Sequence, residues 1–173
     1  MNKKWVCNEI DDLQESLSAY DNKQDIPTSY ENLMAAQSLF AGGDAQAASE
    51  YIQLVSKDVL GEAGKAAYDN LYTELSPTII EGYYNDGNTF YTEENYDSAI
   101  ANFQTVVDID ESYNEGAALF LLGDCYRLTG DTDAALEYFE KVVELYPKNK
   151  WGKQAAVYIA ADDTELSAAD VGE

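Results

Sequence analysis

Apolar residues along this chain recur every three to four positions and never alternate convincingly with polar ones, a pattern that predicts helices and no sheet. The opening stretch sets Val6, Ile10, Leu13, Leu17 and Tyr20 at spacings of 4, 3, 4 and 3, the seam of two coiled-coil heptads. Two heptads are too few to stand alone. This N-terminal amphipathic, coiled-coil-like helix (1–24) therefore either packs on the downstream repeats or is the stub of a longer coiled coil cut upstream of Met1. Residues 21–27 are polar and read as a linker.

A helical pattern then runs over residues 30–40 and stops at Gly42-Gly43-Asp44. Glycine allows the left-handed backbone that ends one helix, and aspartate caps the next. That next helix carries Ala48, Ile52 and Val55, so the two form a helical hairpin. Ala63, Ala67, Leu71 and Leu75 place a further helix over residues 62–75. Ser76-Pro77 then reads either as the cap and first residue of a new helix or as a kink in a continuous one. Ile79, Ile80, Tyr83, Tyr84, Gly87, Phe90 and Tyr91 make the next stripe, with a turn at Glu94-Asn95 and a partner helix over residues 97–108. Residues 117–128 and 132–145 form another pair around Thr129-Gly130-Asp131, stopped at Tyr146-Pro147. Trp151, Ala155, Tyr158 and Ile159 mark a capping helix over residues 150–161, and the acidic tail 162–173 reads as disordered.

The last two pairs repeat one pattern. Gly87, Asp97, Ala99, Phe103, Val106 and Val107 recur 36 positions later as Gly123, Asp133, Ala135, Phe139, Val142 and Val143. A fixed period of this size means stacked units, each leaning on its neighbour to bury an apolar face. Glycine lets the facing helix approach, alanine sits where it crosses, and phenylalanine fills the space between hairpins.

These residues resemble the tetratricopeptide repeat, a helix-turn-helix unit of 34 residues. Leu119, Leu122-Gly123, Tyr126, Ala135, Phe139, Val142 and Pro147 follow its pattern, with Val142 in place of a small residue. The earlier copy matches through Tyr83, Gly87, Phe90, Ala99, Phe103 and Val106, while Asp86 and Glu111 replace the leucine and proline. The extra spacing implies a longer loop near residues 110–114. A degenerate third copy aligns Gly43-Asp44 with Gly130-Asp131, and Ala36 with the glycine. The resemblance implies an all-α fold, an α-solenoid of antiparallel helix pairs wound as a right-handed superhelix. The expected organisation is a degenerate hairpin plus an extra helix (27–75), then two repeats (about 80–113 and 116–149) with their cap (76–161). In the family's register Tyr84, Asn88, Tyr91, Phe120, Asp124, Arg127 and Leu128 face the hollow side and form the candidate protein-binding residues. Tyr30, Leu33, Gln37 and Phe40 would join them from the degenerate pair. Family members that bind chaperones grip a carboxylate with lysines, an arginine and asparagines. Here Asn88 fits one such position, but Tyr84 and Phe120 stand where lysine is needed, so a co-chaperone role is not expected. The layout is also similar to exported, membrane-tethered repeat proteins of Gram-positive bacteria. That similarity implies a location outside the cytoplasm, tethered through a segment absent from this chain, with a cytoplasmic location as the alternative.

Charge narrows the partner. Thirty-three acids against 10 bases give −23, a field that repels nucleic acid and anionic lipid and favours a basic or apolar protein or peptide. No apolar run is long enough to span a membrane. The absence of histidine removes the commonest general base and metal ligand. Cys7 and Cys125 lack zinc-site spacing and leave a single bridge between them open. Asp108 to Asp110 resembles the start of a calcium loop, but Tyr113 and Leu119 occupy positions that need glycine and glutamate. No catalytic, cofactor or metal residue is therefore expected, and no enzyme. Arg127, the sole arginine, either anchors a ligand carboxylate or pairs with Asp124 or Asp131. The expected function is a non-enzymatic scaffold that binds a protein or peptide. The alternative is a structural module of a cell-envelope protein, homodimeric through the N-terminal helix.

Overall fold

The computed structural model describes residues 25–169, with side chains described over residues 27–161. The heptad stretch 1–24, with Cys7 and the expected dimer helix, lies outside the described residues, as do residues 170–173. Seven helices are described: α1 (Asp25–Ala41), α2 (Ala45–Gln53), α3 (Glu62–Thr92), α4 (Tyr96–Ile109), α5 (Tyr113–Thr129), α6 (Thr132–Leu145) and α7 (Lys150–Ala169). A 3-10 turn at Lys57–Val59 joins α2 to α3, and no strand occurs among the described residues. Neighbouring helices pack in pairs, the all-α, repeat-type architecture that the apolar periodicity implies.

Three hairpin turns share one construction. Gly43, Glu94 and Gly130 each take positive φ, at 89°, 60° and 87°. Each donates its backbone N–H three residues back, to Phe40, Tyr91 and Arg127, and the residue after it donates to Leu39, Phe90 and Tyr126. That second residue is Asp44, Asn95 or Asp131, whose side chain accepts from the N–H of Ala47, Ser98 or Ala134 and so caps the following helix. The degenerate pair thus carries the same turn as the two regular ones.

The serine and proline at residues 76 and 77 do not start a helix. α3 runs continuously over 31 residues with Pro77 inside it. Proline removes the N–H that the Thr73 carbonyl would accept, but Pro77 is exposed and water can serve that carbonyl. The neighbouring Ser76 hydroxyl donates to the Tyr72 carbonyl at 2.8 Å. The described chain is already helical from Asp25, so residues 25–27, read from the sequence as the end of a polar linker, belong to α1. α7 continues to Ala169, past the expected end at Ala161 and into the stretch read as a disordered tail. Its alanines, leucine and glutamate are good helix formers.

The chain divides into two compact units between Ile79 and Ile80, within α3. In the first, Leu33, Ala36, Ala48, Ile52, Leu60 and Leu75 are buried. The Tyr30 hydroxyl accepts from the Gly61 N–H at 2.9 Å, and Ser29 Oγ accepts from the Ser56 N–H at 3.1 Å, so the chain after α2 is tied to the start of α1.

In the second, Phe103 and Phe139 are fully enclosed. A Cβ on Gly87 would lie 2.7 Å from the Phe103 ring, and one on Gly123 would lie 3.0 Å from Phe139. Both glycines are therefore there to let a ring in. Cys125 is buried and free. The loop between the two hairpins closes with three left-handed residues, Asn114, Glu115 and Gly116, before α5 proper. Asn149 Nδ2 donates to the Glu115 carbonyl at 2.8 Å and holds this turn against the start of α7.

Candidate functional site

Tyr84, Asn88 and Tyr91 follow one another at i, i+4 and i+7 on α3, and Phe120, Asp124, Arg127 and Leu128 do so on α5, so each set shares a helix face. Tyr84 is half-buried. Its ring tilts against Tyr113 at 5.2 Å and edge-on to Phe103 at 6.0 Å. Asn88 spends one donor on its own helix, with Nδ2 bonded to the Tyr84 carbonyl at 2.7 Å.

The two helices meet at Asp124, which is only 4% exposed. One of its oxygens accepts from the Tyr91 hydroxyl at 2.6 Å. The other accepts from Arg127, both Nε and Nη2 at 2.7 Å. The guanidinium then lies 4.7 Å over the Tyr158 ring of α7, so one chain of polar contacts crosses α3, α5 and α7. Burial pushes the Tyr91 hydroxyl pKa up, and the bond to Asp124 adds to the shift. For Arg127 burial pulls downward, but the hydrogen bond and charge of Asp124 outweigh it and the net shift is upward. Of the two readings of Arg127, the pairing with Asp124 is present. Asp131 serves instead as the cap of α6.

Phe120 corrects the sequence expectation. It is 3% exposed and does not face an open groove. Its ring stacks on Trp151 at 5.0 Å and on Tyr158 at 6.1 Å, and tilts against Phe139 at 5.6 Å. The register put it on the inner face of α5, but α7 lays two aromatic rings over that face. Leu128 remains 38% exposed and Arg127 is exposed at its rim, while Tyr84, Asn88 and Tyr91 are half-buried. In the first unit Tyr30 and Leu33 are buried, whereas Gln37 and Phe40 reach the surface.

Two clefts were not foreseen. One, of about 280 Å³, opens among Arg127, Thr132, Leu136, Phe139, Tyr158 and Ala161. The other, of about 380 Å³, lies in the first unit and is lined by Gln37, Phe40, Ala67, Asn70, Leu71 and Glu74. The signal for the second was present in Asn70 and Glu74, polar residues one turn apart on the helix that also carries Ala67 and Leu71. Among the described residues no group of three His, Cys, Asp or Glu side chains converges as a metal site would, and no helix is long and apolar enough to cross a membrane.

Residues 78–148 match the family model of the tetratricopeptide repeat. No curated protein matches the chain. The matched segment begins within α3 and ends just after α6, so it takes in both regular hairpins.

Proposed function

We propose, from the tetratricopeptide-type repeats of residues 78–148, that this chain is a non-enzymatic scaffold that captures a protein or peptide along the first helices of its hairpins. Repeats of this family generally serve protein–protein interaction, and that match is the observation that carries the reading. The contact row is Tyr84, Asn88, Tyr91, Arg127 and Leu128. Phe120 and Asp124 support it from beneath, the ring by packing and the carboxylate by fixing Tyr91 and Arg127. Half-exposed tyrosines with a few polar groups suit a peptide surface, and a net charge of −23 favours a basic or apolar partner. The layout of a heptad stretch ahead of repeats supports a location outside the cytoplasm, tethered upstream.

Random peptides displayed on phage and selected on the full chain supply ligands for the test. Leu128→Asp is expected to weaken the selected peptides about tenfold or more while circular dichroism shows the helical fold retained. Selected peptides that bind Leu128→Asp and Tyr84→Ala as tightly as the parent, with both variants folded, overturn the assignment of the row.

A further inference from the structure

The first unit holds a cleft outside the matched repeats. Its floor is apolar: Phe40 from α1, Ala67 and Leu71 from α3. Its rim is polar: Gln37 from α1, Asn70 and Glu74 from α3. Three of the rim and floor positions on α3, residues 67, 70 and 74, succeed one another at helical spacing, with Leu71 between them, so they form one face. Ion pairs on neighbouring surfaces are already made, Lys57 with Asp69 and Lys65 with Glu62. Among the described residues, neither the amides of Gln37 and Asn70 nor the carboxylate of Glu74 has a side-chain hydrogen bond or an ion pair.

We propose that this cleft binds an extended segment of another protein, with one large aliphatic side chain seated on Phe40 and Leu71 and a lysine or arginine beside Glu74. The inference rests on the scaffold reading and adds a second contact surface and a partner chemistry to it. An amide side chain offers donors and an acceptor together, which is what an extended main chain, with its unpaired N–H and C=O groups, requires. Two such amides on the two helices that line the cleft, beside an apolar floor that takes one side chain, hold an extended strand in register. Charge complementarity selects the basic residue: the one acidic or basic side chain on the lining is Glu74, within a chain that is acidic overall. An acidic segment would meet repulsion at both scales.

The test uses the full chain and two fluorescein-labelled synthetic peptides of ten residues, each with a central leucine. In one the leucine is flanked by lysines, in the other by glutamates at the same positions. Fluorescence anisotropy is expected to show saturable binding of the lysine peptide and at least about tenfold weaker binding of the glutamate peptide. Asn70→Ala should weaken the lysine peptide about fivefold or more, and Glu74→Lys about tenfold or more, with circular dichroism unchanged because both residues are exposed. Leu128→Asp should leave this peptide's affinity as it was. Equal binding of the two peptides, no binding of either, or indifference to both Asn70→Ala and Glu74→Lys overturns the proposal. If only Leu128→Asp weakens the lysine peptide, the cleft is excluded and the contact row of the second unit stands. If light scattering shows that the peptide acts by dissociating a dimer, the occupant is a second copy and the proposal also falls.

Discussion

Asp124 ties α3 to α5 at a single carboxylate. It is nearly out of solvent and accepts hydrogen bonds from Tyr91 on α3 and Arg127 on α5. Asp124→Ala removes an acceptor from a charged group and from a buried hydroxyl, and should cost about 2–3 kcal/mol in urea denaturation. Next to it, burial and then the charge of Asp124 push the Cys125 thiol up to about 12 from its ordinary 9.0. The folded state therefore keeps a proton that the unfolded chain has already lost above pH 9.0. Stability contributed this way is intact below that pH and falls as pH rises toward the folded value. Tyr91 shifts in the same direction from 10.0. The thermal midpoint should decline once pH passes about 9, and in Cys125→Ala the onset should move to about pH 10. The burial of Cys125 on an apolar helix was legible from its neighbours in sequence. The pairing of Asp124 with Arg127 was one of the two readings open from sequence, but its bond to Tyr91 was not legible, since only the fold brings that hydroxyl from α3.

At the scale of elements, the turns were the clearest part of the sequence. Glycine followed by aspartate at residues 43–44 and 130–131 combines a left-handed closer with a helix cap, and both functions follow from local chemistry. Glu94 does the same task with a side chain that disfavours it. Glu94→Gly should raise stability by about 0.5–1 kcal/mol, read as a higher midpoint in urea. Pro77 was ambiguous because a proline can open a helix or sit within one, and only the packing on both sides decides. With α3 continuous, Pro77→Ala restores an N–H in a helix interior and should stabilise by about 1–3 kcal/mol, measured by thermal unfolding. The inward placement of Phe120 was hidden for a related reason. Nothing within α5 reveals that Trp151 and Tyr158 of α7 will lie over it.

For the whole molecule, the excess of acids over bases is a cost to the compact state as well as a lure for basic ligands. Self-repulsion of this kind is screened by salt. Raising ionic strength from about 20 mM to about 300 mM should raise the thermal midpoint, while the same change should weaken binding of the lysine peptide. Opposite responses from one variable separate intramolecular repulsion from intermolecular attraction. The all-α class could be read in advance, because apolar spacing encodes it directly, whereas the continuity of α3 through Pro77 and the length of α7 could not. Cleft positions could not, since they depend on how residues far apart in sequence, such as Phe40 and Leu71, come to line one space.

The turns within hairpins and the joint between them differ in what they tolerate. In each turn one residue closes a helix and the very next opens another, so an insertion there would separate two tasks that depend on adjacency. The joint at residues 110–116 already absorbs two residues beyond the 34-residue period of the tetratricopeptide repeat through its left-handed bend. Lineages of such proteins should therefore drift in length at these joints while their hairpin bends stay fixed in size, and anyone splicing an extra module into the array should cut near Ser112 and leave Gly130 alone.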